Sequence, residues 1–210
     1  ILGCLIEKEK TTPDYYPPSL NALKNACNQK SNRNPVVSYD NETVLQGIKS
    51  LQSKGLLLIA SGAGQRVRKY VHKFKDKYNL SVKEMVVLCE LMLRGPQTVG
   101  EIRNRAGRMF PLNSLEEVNE ILNELKEERE TPLVIEFPRQ PGQKESRYMH
   151  LLAGKVEIPE TDNIPLKDSV IKSTDPGDIR IKNLEKDVEF LRAEVSQLKE
   201  AFEKFKRQFE

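Results

Sequence analysis

The sequence predicts a mainly α-helical protein with small β-wings, an α+β chain in which two copies of one module stand in tandem ahead of a C-terminal coiled-coil helix. Three observations carry that expectation. The segment Gly64-Gln65-Arg66-Val67-Arg68-Lys69-Tyr70-Val71-His72 returns as Gly142-Gln143-Lys144-Glu145-Ser146-Arg147-Tyr148-Met149-His150. The offset of 78 residues (142 − 64) makes the chain's two histidines repeat equivalents. Three S/T-x-x-E boxes, each suited to satisfy exposed N–H groups at a helix start, space out three helices in the second copy. Nine apolar residues at alternating steps of four and three close the chain.

In the first copy, residues 1–78, Leu2, Leu5, Ile6 and Glu9 fall at helical spacing. Leu20, Leu23, Ala26 and Cys27 make a second helical face, and Val44, Leu45, Ile48 and Leu51 a third that Gly55 stops. The apolar run Leu56 to Ala60, the turn Ser61-Gly62-Ala63-Gly64 and the segment Arg66 to Phe74 read as two strands joined by a glycine-rich hairpin. In the second copy, residues 79–153, the boxes Ser81-x-x-Glu84, Thr98-x-x-Glu101 and Ser114-x-x-Glu117 mark the three helix starts. Met85, Val86, Cys89, Met92 and Leu93 line the first of these helices, Val99, Ile102 and Ala106 the second, and Val118, Ile121, Leu122 and Leu125 the third. Leu133 to Phe137 and Ser146 to Leu152 flank a Pro/Gly loop as the second wing.

Residues 154–178 change character, because Pro159, Pro165 and Pro176 interrupt a polar stretch that buries too little apolar surface to offset its chain entropy. They read as a linker. In residues 179–210, Ile181, Leu184, Val188, Leu191, Val195, Leu198, Phe202, Phe205 and Phe209 form a heptad seam. Ile or Val at the first three a positions with Leu at the first three d positions favours a parallel two-stranded coil, and hence a homodimer through this helix. Arg180 would face Glu185 of a partner, Asp187 would face Arg192, and Glu194 would face Lys199, all of opposite sign. The competing reading is one amphipathic helix folded back on its own domains, since the terminal phenylalanines are bulky for a dimer seam.

Composition fits this picture. The chain has 210 residues, 38% hydrophobic and 31% charged, so part of it is linker or solvated helix rather than core. No run approaches a membrane span, and no charged segment leading into an apolar one opens the chain, so a soluble cytoplasmic protein without membrane partners is expected. The first residue is Ile1 rather than Met, which suggests that a few residues are missing. Cys4, Cys27 and Cys89 are odd in number and lack C-x-x-C spacing, which indicates neither a disulfide framework nor a metal site.

Helix, helix, helix and hairpin in that order is the winged-helix arrangement, in which the third helix enters a major groove and the wing follows the phosphate backbone. That order permits nucleic-acid binding without requiring it. Charge separates the two copies. Residues 1–78 hold 13 Lys and Arg against 6 Asp and Glu, a net +7, whereas residues 79–155 hold 11 against 12. Phosphate attraction needs positive charge on one surface, so the first copy is the expected contact with double-stranded DNA. Phosphate contacts are expected from Lys24, Lys30 and Arg33 around the polar loop and from Arg66, Arg68 and Lys69 on the wing. Thr43, Gln46, Lys49, Ser50 and Ser53, opposite the apolar stripe of the third helix, are the candidate base-reading residues. An ordinary solvated helix face is the competing reading of each. In the second copy Glu116, Glu117, Glu120, Glu124, Glu127 and Glu128 would repel a phosphate backbone, which points that helix toward a protein partner or solvent.

Catalysis has little support. His72 and His150 follow Tyr70 and Tyr148 on one strand face, and their repetition in two domains of different charge argues for shared packing. The cysteines sit on or beside apolar stripes with no identifiable base nearby, and the glycine-rich turn lacks the Lys-Ser/Thr of a phosphate loop. No enzyme activity, cofactor or metal is expected.

The stretch Leu2-Gly3-Cys4-Leu5-Ile6-Glu7-Lys8-Glu9-Lys10-Thr11-Thr12-Pro13-Asp14-Tyr15-Tyr16-Pro17 and the segments Ser19-Leu20-Asn21-Ala22-Leu23 and Ala26-Cys27-Asn28-Gln29-Lys30-Ser31-Asn32-Arg33 carry a family likeness. With Leu88-Cys89-Glu90-Leu91, Leu93-Arg94-Gly95-Pro96-Gln97-Thr98 and Pro138-Arg139-Gln140-Pro141-Gly142, they resemble the YceH-like family of uncharacterised bacterial proteins over nearly three quarters of the chain, to about Leu152. The resemblance implies paired winged-helix domains and a bacterial cytosolic origin, and it implies no activity. Where members of that family usually carry Asp before the proline after the polar loop, this chain has Asn34. The leading expectation is a dimeric DNA-binding protein of the transcription-regulator kind; the alternative is an adaptor whose winged-helix domains bind another polypeptide.

Overall fold

α1 (Leu2–Thr11), α2 (Leu20–Cys27) and α3 (Asn41–Ser53) precede β1 (Leu57–Ala60) and β2 (Lys69–His72). A short α4 (Phe74–Tyr78) then leads into α5 (Val82–Arg94), α6 (Val99–Ala106), α7 (Leu115–Glu127), β3 (Val134–Phe137) and β4 (Arg147–His150). This computed structural model describes residues 1–60, 67–127, 129–139 and 142–154. It is mainly helical, with two small two-stranded antiparallel hairpins. Residues 155–178 of the expected linker, and the whole seam from Ile181 to Phe209, lie outside the described residues.

Local chemistry sets the helix starts. The Ser81 and Thr98 boxes close in full: each hydroxyl accepts from the N–H of Glu84 or Glu101 at 3.2 Å, and each carboxylate accepts in return from the N–H of Ser81 at 2.7 Å or Thr98 at 3.0 Å. The third box closes differently. Ser114 Oγ accepts from the Glu117 N–H at 3.1 Å, but the Glu117 carboxylate reaches one residue further back, to the N–H of Asn113, and pairs with Lys83. Asp40 and Ser19 cap α3 and α2 without a reciprocal glutamate.

The hairpins share one register. His72 pairs with Leu57 and Tyr70 with Ile59; His150 pairs with Val134 and Tyr148 with Glu136. Tyr and His of each hairpin are buried on its inner face. The first hairpin's second strand stops at His72 rather than running on to Phe74, because His72 Nδ1 accepts the Phe74 N–H at 3.4 Å and α4 begins there. Phe74 is fully buried, a contribution of roughly 1.5–3 kcal/mol for a side chain of that size.

The two repeats do not keep separate cores. α1 packs along α5, and both repeats fall within one compact unit, Ile1–Pro159. Gly3 lies at the closest approach: a Cβ there would stand 3.0 Å from Leu93 Cδ2 and 3.3 Å from Met92 Cβ. The Cys89 thiol donates to the Gly3 carbonyl at 3.2 Å across the same seam. All three cysteines are free and buried.

Candidate nucleic-acid interface

α3 turns Val44 and Ile48 into the core, which leaves Thr43, Gln46, Lys49, Ser50 and Ser53 exposed on its outer side. The Asp40 carboxylate accepts the Thr43 N–H at 2.8 Å, and that bond holds Asp40 below the usual carboxylate range. The Ser53 hydroxyl is committed to the Ser50 carbonyl at 2.9 Å. Leu45, expected on the apolar stripe, is 37% exposed instead, because the core-facing arc of α3 is narrow. On the hairpin, Arg68 is exposed and Lys69 half-buried, and Lys69 bridges to Ser19 ahead of α2. Arg66 lies outside the described residues. Lys24 is half-buried in the last turn of α2, and Lys30 is exposed.

Arg33 does not belong with them. Its guanidinium is buried and donates to Glu7 Oε2 at 2.5 Å, Glu7 Oε1 at 3.2 Å and the Ala26 carbonyl at 2.7 Å, which withdraws it from any phosphate. Burial alone would raise the pKa of Glu7, but the hydrogen bonds and charges of Arg33 and Arg108 outweigh it and hold the carboxyl down.

The polar loop around Arg33 joins the two repeats. Arg108, from the turn after α6, pairs with Glu7 and also with Glu90 at 2.8 Å, and Arg94 pairs with Glu90 at 3.2 Å. Asn32 accepts from Arg94, while the Asn34 N–H and side-chain amide donate to the carbonyls of Leu93 at 3.0 Å and Arg94 at 3.3 Å. Those carbonyls end α5 and have no helical partner of their own. Asn28 fixes the far side of the loop by exchanging two 2.8 Å bonds with the Tyr39 backbone. Sequence reasoning missed this clamp, although Glu90 falls at stripe spacing between Val86 and Leu93 and so signalled a buried carboxylate.

The histidines are packed among core residues. Glu9 Oε2 lies 3.5 Å from His72 Nε2, and Tyr16 Oη accepts the His72 backbone N–H at 3.0 Å. Burial pushes both imidazoles below their ordinary pKa and pushes the Tyr16 hydroxyl up to about 12. Among the described residues no group of three or more His, Cys, Asp or Glu is placed to hold a metal ion, and no helix is long and apolar enough to cross a membrane.

Comparison with known proteins agrees with the resemblance carried by the N-terminal motifs. The model of a family described as a protein of unknown function, DUF480, matches residues 1–143. Proteins named UPF0502 from Pelobacter propionicus and Geotalea uraniireducens are each 49% identical over the whole chain and 95% of their own length, and one from Solibacter usitatus is 48% identical over the same shares. With a family model covering more than half of its length and relatives matched over the whole of it, the chain belongs to the DUF480, or UPF0502, family of uncharacterised proteins.

Proposed function

We propose that the protein binds double-stranded DNA as a regulator of the winged-helix type, with the first repeat as the DNA-facing module and the C-terminal heptad helix pairing two chains. One observation supports the reading best: in a repeat of net +7, α3 exposes Gln46 and Lys49 on one side while the hairpin beside it exposes Arg68. α3 would lie in the major groove and the hairpin along the backbone. Lys24, Lys30 and Lys69 add positive charge to the same repeat, whereas Arg33 serves the clamp.

The second repeat supports a different role. Glu116, Glu120 and Glu124 stand exposed along α7, a helix face that DNA would repel. There the adaptor reading applies, with a protein partner on the second repeat. A gel-shift titration of the full chain against duplex DNA at rising salt tests the assignment. Binding whose logarithm falls linearly with the logarithm of salt supports it. No binding at low salt by folded protein would leave the adaptor as the function of both repeats.

A further inference from the structure

Glu42 is the one acidic residue on the outer face of α3 past its cap. It is followed by Gln46, Lys49 and Ser53 at steps of four, three and four, so the four side chains share the face opposite Val44 and Ile48. All four are exposed. Asp40 already serves the Thr43 N–H at the start of α3, and the Glu42 carboxylate has no hydrogen bond or ion pair among the described residues. On a face that enters DNA the phosphates repel such a carboxylate, and a base-edge donor is the contact that favours it.

The major groove offers two amino donors, adenine N6 and cytosine N4. Adenine N6 stands beside the N7 acceptor of its own base, which repels a carboxylate; cytosine N4 has no such neighbour. We infer that Glu42 is a specificity-determining residue that accepts a hydrogen bond from cytosine N4, with Gln46 and Lys49 reading the base pairs one helical turn further along. The inference rests on the DNA-binding reading above. It also gives the face a means of rejection: guanine or thymine in place of the cytosine sets only acceptors against the carboxylate, and adenine sets its N7 beside the amino donor.

Glu42 also suits the first turn of α3 through the helix dipole. That role alters stability and carries no base preference, so base preference is the decisive readout. Full-length protein and the variants Glu42→Ala and Glu42→Lys, each shown to be folded by circular dichroism, are used to select duplexes from a randomised library at fixed salt. Wild type should enrich cytosine at one position of its site. Glu42→Ala should lose roughly tenfold discrimination there while holding duplex DNA at least as tightly, and Glu42→Lys should select guanine at that position. Unchanged cytosine enrichment in Glu42→Ala overturns the inference and leaves DNA binding standing. So does wild-type selection with no fixed cytosine. If wild type retains no duplex at all, the DNA-binding reading falls and this inference with it.

Discussion

Arg108, in the second repeat, is ion-paired with Glu7, in α1 of the first. Glu7 and Glu90 are both almost wholly buried, and Arg108 is the cation they share. Two buried carboxylates on packed helices are tolerable only because Arg33, Arg94 and Arg108 surround them; removing a cation leaves a charge in a poorly solvated place.

The first expected outcome concerns that cluster. Arg33→Leu should cost about 3–5 kcal/mol, the usual penalty for leaving a buried charge without its partner. Arg108→Leu should cost less, because Arg108 is a quarter exposed and Glu7 would keep Arg33. Urea denaturation of the two variants measures the difference. Equal and negligible losses would mean the pairs add nothing to the junction.

Acid should act through the same group. The folded-state pKa of Glu7 is depressed below its unfolded value, so its contribution is complete above the ordinary glutamate range and is lost as pH falls through the folded value. The buried histidines act in the same direction but higher: with folded pKa values below their unfolded ones, their burial in the neutral form costs stability as pH drops below about 6.5. Melting temperature should therefore decline from just above pH 6 and fall further below about pH 5. His72→Phe should flatten the upper part of that curve and leave unchanged any duplex binding that the gel-shift titration finds. Stoichiometric zinc in purified protein, lost on substitution of His72 and His150, would refute a packing role for both.

Close packing at the repeat junction gives a third outcome. Gly3→Val would place a branched side chain against Leu93 and Met92, an overpacking expected to cost about 1–3 kcal/mol. Gly100→Ala makes a suitable control, since a Cβ there meets nothing within 4 Å. Comparable melting temperatures for the two variants would show that the helices part easily.

If DNA is bound, Arg68→Ala and Lys69→Ala should weaken binding to all sequences alike and reduce the salt slope by about one each. Gln46→Ala should relax preference at one position instead. Filter binding at several salt concentrations separates the two behaviours.

Assembly is tested by length. Sedimentation equilibrium should find the full chain dimeric and a truncation ending at Asp178 monomeric. Two monomers at tens of micromolar would remove the heptad helix as a pairing device.

The elements that were legible in the sequence are those fixed by neighbours a few residues apart. Ser81 and Glu84 announce α5 because box and helix start are the same four residues, and the Tyr-x-His repeat announces two equivalent strands. Arg33 was misread because its partner is 26 residues away and buried, so nothing near it in the chain distinguishes a clamp from a phosphate contact. Likewise the sequence carries the second strand on to Phe74, since one bond from Phe74 to a histidine ring decides where β2 ends.

The bonds from Asn34 to the end of α5 mean that the approach to α3 is anchored on the other repeat. Cutting the chain near residue 78 would remove the floor beneath that approach, bare the Gly3 side of α1, and leave Glu7 without Arg108. A substitution at Leu93 or Arg94 should then score in a genetic screen as a defect of the first repeat, and compensating changes should map to residues 28–34. In that sense the two repeats are one heritable unit, each a suppressor site for the other.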